Sequence, residues 1–238
     1  MYGVGESDRP WKRCAMEMID DAGGFTVTTL EGLDAIYKGP ADRVLNKQTD
    51  HITAPGRAFI AASPFLIMAT AGEAGIDCSP KGDGPGFVQL LDDRTLLIPD
   101  RPGNNRIDGM KNIIANPAVG IIFMVPGANE TYRVNGRAKI SVDPALLSRF
   151  LIRDKPPRTV IAVAVEEAFS HCPKAFVRSK LWQAGMAGRP DGVPTLGSFA
   201  AFRDGGDEAF LGYNRYRAAA AWRLARHLPA PQIGRAHV

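Results

Sequence analysis

Ile98-Pro99-Asp100-Arg101-Pro102-Gly103-Asn104-Asn105-Arg106 carries an apolar strand into the start of a helix. Thr95–Ile98 supplies the strand. Residues 104–116 supply the helix, with Ile107, Met110, Ile113 and Ile114 on one face and Asn116-Pro117 as its stop. A helix N-terminus exposes unpaired N–H groups and the positive end of the dipole, which suits an anion. Arg101 and Arg106 add guanidinium forks that suit phosphate. Asp100, Asn104 and Asn105 suit hydroxyl groups. The same residues also read as a plain capped helix, with Asn104 as N-cap.

Immediately upstream, Ser79-Pro80-Lys81-Gly82-Asp83-Gly84-Pro85-Gly86 follows a short strand. Its glycines let backbone N–H groups approach a ligand, and Lys81 can meet an anion. A simple turn between strands is the other reading. A P-loop is excluded because no Gly-Lys-[Ser/Thr] follows, and Phe87 breaks the G-x-G-x-x-G pattern.

Working outward, seven segments read as strands: 65–70, 76–79, 87–91, 95–98, 119–125, 132–142 and 159–165. Within 132–142, Val134, Ala138, Ile140 and Val142 share one face and Arg133, Asn135, Arg137, Lys139 and Ser141 the other. So many short strands in about 100 residues predict a closed or nearly closed barrel. Helical segments flank it. Thr28-Thr29-Leu30-Glu31 predicts a capping box with Thr28 as cap, ended by Gly39-Pro40. Short helices are expected over 41–48, over 51–62 with an interruption at Pro55-Gly56, over 171–180 and over the Ala/Arg-rich 207–227, with a Gly/Pro-rich segment at 185–197.

Composition narrows the function. The chain has 238 residues, one large domain or two small ones, and is 45% hydrophobic and 23% charged. A net charge of +4 without a basic block argues against a nucleic-acid binder. No apolar run approaches the roughly 18 residues of a membrane span. Residues 1–11 show no secretory signal, and three cysteines (Cys14, Cys78, Cys172) fit a reducing cytoplasm. The histidines His51, His171, His227 and His237 and the lack of Cys-x-x-Cys argue against a zinc site. His171-Cys172-Pro173-Lys174 therefore reads as structural or as an anion-facing helix start, and Cys172 as a nucleophile has only an adjacent histidine. The alternating arginines Arg133 and Arg137 read as a solvated face or a site lining.

The ordered motifs resemble the pyridoxamine 5′-phosphate oxidase-like FMN-binding split-barrel superfamily. They run from Ala58-Phe59-Ile60-Ala61-Ala62-Ser63-Pro64-Phe65 through Asp77–Asp83, Pro85-Gly86-Phe87-Val88, Leu91-Asp92-Asp93, Ile98–Arg106 and Asn116-Pro117-Ala118-Val119-Gly120. Val134-Asn135-Gly136-Arg137-Ala138, His171–Lys174 and Arg178-Ser179-Lys180-Leu181-Trp182 extend the series over roughly residues 25–200. Within the superfamily it is similar to an FMN-dependent subgroup carrying the Pro-Asp-Arg-Pro-Gly-Asn-Asn-Arg motif. The resemblance implies a mainly β, α+β fold built on a six-stranded antiparallel split barrel, in a homodimer with FMN at the subunit interface. It places Lys81 and Arg106 on the phosphate, with Arg101, Asn104 and Asn105 as neighbours. Cys78, Ser79 and Pro80 flank the isoalloxazine by backbone, and Arg133 and Arg178 reach the flavin of the partner subunit. It implies an oxidoreductase passing hydride between a small-molecule donor and FMN, reoxidised by oxygen or another acceptor.

His171 and Asp83 are the candidates for proton transfer; no catalytic residue is assigned. A flavin carrier or redox sensor, or a barrel binding haem (through His51 and His171) or a deazaflavin, is the alternative. Asn104-Asn105-Arg106 replaces the Ser-Arg-Lys of true pyridoxamine phosphate oxidases, and Trp222-Arg223-Leu224 with Arg226 only echoes their C-terminal pattern. Pyridoxamine phosphate is therefore a poor substrate candidate. The expected organisation is an extension over 1–24, a helical lead-in over 25–63, the FMN-binding barrel over 64–170 and a helical and loop region over 171–231. Residues 232–238 resemble a translated sequencing adapter and are expected to be foreign to the natural chain.

Overall fold

The computed structural model describes residues 26–73, 75–182, 194–195 and 198–199. The expected extension over 1–24, most of 185–197, the 207–227 helix with Trp222, Arg223, Leu224 and Arg226, and the 232–238 tail lie outside the described residues. The chain divides after Asn46 into two units. In the first, α1 (Leu30–Ile36) is followed by the single turn α2 (Asp42–Leu45). Thr29, not the expected Thr28, caps α1: its backbone is extended and its Oγ1 accepts from Gly32 N at 3.1 Å.

The second unit is built on one antiparallel sheet. Its strands are β1 (Phe65–Gly72), β2 (Gly75–Gly82), β3 (Gln89–Leu90), β4 (Thr95–Asp100), β5 (Ala118–Met124), β6 (Thr131–Ser141) and β7 (Thr159–His171). They lie in the order β2-β1-β5-β6-β7-β4-β3. These are the seven strands read from the sequence, one more than the resemblance implies, with the expected 87–91 shortened to Gln89 and Leu90, which pair with Leu97 and Leu96. β7 runs to His171, past the expected end at Val165, since β6 offers partners as far as Thr131. The helix expected over 171–180 therefore shrinks to α6 (Lys174–Ser179).

Alternation on each strand builds the core. Leu66, Met68, Ile121, Phe123, Val134, Ala138, Ile161 and Val163 point inward and are buried. Val142, expected on that face, lies past the end of β6 and is exposed. β4 is buried on both faces. Leu96 and Ile98 enter the main core, while Leu97 packs with Val160 and Phe150 beneath α5 (Pro144–Leu147) and the 3-10 turn Ser148–Phe150. α3 (Ala54–Ala62) closes one side of the core through Ile60. Pro55 does not interrupt it, because Pro in a first turn lacks only an N–H that has no helical partner.

A register shift at Asn135/Gly136 lets the long β6–β7 ladder bend. Gly136 is required there, since a Cβ would collide with the Ala164 carbonyl oxygen across the ladder. Gly136→Ala is expected to lower the unfolding free energy by about 3 kcal/mol, read by urea denaturation.

Candidate functional site

β2 is a sheet edge: it pairs with β1 on one side only. Its other edge presents backbone groups to incoming ligand atoms, and Pro80, which has no N–H, is tolerated there for that reason. Its side chains alternate. Asp77, Ser79 and Lys81 are half-buried on one face, and Ile76, Cys78 and Pro80 are exposed on the other. Cys78, Ser79 and Pro80 thus meet a ligand together only along the backbone edge. Ser79 Oγ donates to Asp77 Oδ2 at 2.5 Å.

The sheet curls so that the end of β2 meets the end of β4. Lys81 Nζ stands 4.0 Å from Asp100 Oδ1. Arg101 Nε donates to Asp83 Oδ2 at 2.8 Å, and Arg101 Nη1 to the Phe150 carbonyl at 2.9 Å. Asp83, a candidate for proton transfer, is therefore committed to an ion pair with Arg101. Burial pushes the Asp100 carboxyl up, against the opposing pull of Lys81 and Arg158.

The connection to α4 (Asp108–Ala115) departs from expectation. The helix begins four residues later than Asn104, because Asn105 and Ile107 take left-handed conformations (φ 59° and 50°) that cannot continue a helix. Ile107 holds the N-cap position with no side-chain cap. Asn104 Oδ1 instead accepts from Arg106 N at 3.1 Å, an Asx turn. The first turn contains Asp108, whose carboxylate already occupies the positive helix end and accepts from Arg106 Nε at 2.8 Å. Arg106 is largely exposed. α4 packs tightly on β1 and β2. Asn112 Nδ2 donates to Thr70 Oγ1 and the Gly75 carbonyl, both at 3.2 Å. A Cβ at Gly109 would stand 2.9 Å from Asp77 Oδ2.

Lys81, Asp100, Arg101, Asn104, Asn105 and Arg106 therefore gather around the β2 end, the β4 end and the α4 start. Two further residues join them without any local sequence signal. Arg158 Nη1 donates to Asn105 Oδ1 at 2.9 Å. Thr159, the register partner of Asp100, has a buried Oγ1 without a hydrogen-bond partner. Only the β4–β7 pairing brings this pair to the cluster.

Arg133 and Arg178 are not brought to that cluster within one chain. Arg133 lies on β6 with its Cζ 5.2 Å from the Phe169 ring centroid, and Arg178 is exposed in the last turn of α6. His171 ends β7, where burial and the neighbouring Arg133 and Lys47 push its pKa down. His51 Nδ1 lies 2.9 Å from Asp50 Oδ1. The antiparallel Thr49–Ala168 bridge sends His51 and His171 opposite ways along β7, so they do not form a haem pair. Among the described residues, no His, Cys, Asp and Glu group could hold a metal, and no helix is long and apolar enough to cross a membrane.

Residues 52–172, just over half the chain, match the family described as pyridoxamine 5′-phosphate oxidase. The chain belongs to that family. The match opens two residues before α3 and closes just after β7, so it takes in the whole sheet and the Lys81–Arg106 cluster. No curated protein matches the chain. Among solved structures, HupZ of Group A Streptococcus is 26% identical over 50% of this chain and 93% of its own, with a TM-score of 0.41. General stress protein 26 of Bacillus anthracis is 18% identical over 48% and 88%, with a TM-score of 0.35. A structure described as an F420 reductase is 18% identical over 48% and 94%, also at 0.35.

Arg101→Ala leaves Asp83 and the Phe150 carbonyl without their donor. It is expected to cost about 1–3 kcal/mol of stability, with clear coupling to Asp83→Asn in a double-mutant cycle. Asp100→Asn is expected to act in the opposite sense. With its folded pKa above its unfolded value, ionised Asp100 opposes folding at neutral pH. The substitution should raise the thermal midpoint at pH 7, and the gain should fade as pH falls through the folded pKa and vanish below the ordinary value of 3.8, where both states bind the proton.

Proposed function

We propose that the protein is an FMN-binding flavoprotein and an oxidoreductase, working as a homodimer with the flavin at the subunit interface. The observation that carries this reading is the juxtaposition of a free β2 edge with the cations Lys81, Arg106 and Arg158. A flavin needs donors and acceptors along the edge of a planar ring and positive charge for one phosphate. The β2 backbone edge at residues 78–80 supplies the first. Lys81, with an acid no nearer than 4.0 Å, and the exposed Arg106 supply the second. Asn104, Asn105, Asp100 and the unpartnered Thr159 hydroxyl suit the hydroxyl chain between them.

Bound FMN would supply two-electron redox chemistry, and the protein would supply binding, orientation and electrostatics. Lys81 puts positive charge beside the ring edge and favours an anionic partner. Burial opposes ionisation of the neighbouring Asp100 carboxyl, which leaves the Lys81 charge the freer to meet a ligand anion.

The outer face of the sheet supports a second copy as partner. Ile67 and Ile122 stand opposite each other there, with Phe65 and Met124 in the next row and Pro80 beside Ile67. A contiguous apolar sheet face of this kind is normally covered. Arg133 lies in the same row as Ile122, where a second subunit would meet it.

The test is FMN titration of the purified protein, with the mass of any ligand released on denaturation. About one FMN per subunit is expected. Lys81→Ala and Arg106→Ala should each weaken FMN binding about 10–100-fold through loss of a charge-assisted phosphate contact, without lowering the thermal midpoint. Unchanged affinity in both variants would refute the assignment.

A further inference from the structure

A second recess lies three strands away from Lys81. The cross-strand row runs Lys81, Leu66, Phe123, Tyr132, so this recess at Tyr132 is about 14 Å along the sheet from the β2 edge. It is a cleft of about 410 Å³ between the first turns of α3 and the adjoining ends of β6 and β7. That volume falls within the range of small-molecule sites.

Its lining is aromatic and carries one cation, Lys47. Phe59 and Tyr132 pack as a tilted pair, 6.3 Å between ring centroids, and Phe169 forms part of the wall. Lys47 Nζ stands 5.5 Å from the Phe169 ring centroid. Among the described residues Lys47 has no ion-pair partner. The nearby Glu167 is held by amides, from Gln48 Nε2 at 2.7 Å and Asn135 Nδ2 at 2.6 Å. Glu130 is the one acid in the lining.

One buried polar atom in the cleft lacks a hydrogen-bond partner of good geometry, the Tyr132 hydroxyl. Tyr132 is 5% exposed, and its hydroxyl reaches so close to Gly56 in the cleft wall that any Cβ there would collide with it. Thr53 adjoins the hydroxyl and partly offsets the upward push of burial on it. A buried hydroxyl left open beside an unpaired cation and aromatic walls is costly unless something meets it.

We propose that this cleft binds a small planar apolar molecule bearing one acidic group, its ring against Phe59 and Phe169, its acid at Lys47, and a polar atom at the Tyr132 hydroxyl. The site stands apart from the Lys81 cluster of the same subunit and does not rest on the flavin reading.

The probe is 8-anilinonaphthalene-1-sulfonate, with uncharged N-phenyl-1-naphthylamine as its control. Both are titrated by fluorescence into the full chain, with and without saturating FMN. One sulfonate per subunit is expected, unaffected by FMN, with the uncharged analogue at least about tenfold weaker. Lys47→Gln should weaken the sulfonate about tenfold and leave the uncharged probe unchanged. Ser170→Trp, placed at the exposed rim of the cleft, should abolish both, with FMN uptake and the thermal midpoint of each variant as fold controls. Displacement of the probe by FMN would make the cleft part of the flavin site and overturn the proposal. So would sulfonate binding that is indifferent to Lys47→Gln, or to a folded Ser170→Trp. A protein that takes up no FMN yet passes the Lys47 test would refute the flavin reading alone.

Discussion

Arg101 donates at once to the Asp83 carboxylate and to the Phe150 carbonyl, and so ties together three segments that share no backbone ladder. Asp83 follows β2 at one side of the sheet. Arg101 follows β4 near the other side, and Phe150 ends the 3-10 turn that covers β4. The sheet ladder alone leaves β2 far from β4, with four strands between them. The fork geometry of guanidinium suits this task, because one side chain satisfies two acceptors in fixed directions. Where the clasp closes, Lys81 is carried to Asp100. The candidate site is thus a by-product of closing the sheet.

The strands were legible in the sequence because their burial is one-sided. β1, β5 and β6 alternate, and period-two patterns of apolar residues are a local signal. What local pattern could not give was length and capping. β7 extends to His171 because β6 continues to pair with it, which is a property of the partner strand. Thr28 and Thr29 are chemically identical, and only the path of the chain decides which hydroxyl meets Gly32 N. Pro55 reads as a breaker until its place in the first turn of α3 is known.

The site was legible in its members and not in its roles. Lys81, Asp100, Asn104, Asn105 and Arg106 stood out by residue type next to glycines and a strand end, and the fold does gather them. The helix start did not follow from type. Asn104 is a good N-cap in isolation, yet it caps Arg106 N in a turn while left-handed Asn105 and Ile107 delay the helix. Arg158 and Thr159 carried no signal, since they join only through pairing with Asp100, about sixty residues earlier in the chain.

Roles can be sorted by what it takes to release each cation. The Arg106–Asp108 pair is largely exposed, and pairs of that kind contribute at most about 1 kcal/mol. Another anion can therefore displace Asp108 at little cost. Lys81 stands at the outer limit of an ion pair with an acid whose ionisation burial opposes, so it too is free to turn to a better anion. Arg101 is different: its pair is about three-quarters buried and shares the guanidinium with a backbone carbonyl. Turning it toward a ligand would strand a carboxylate and open the clasp. Three cations that look alike in the sequence are thereby divided by their burial. Two are held loosely enough to turn to another anion, and the third holds the end of β2 at the end of β4.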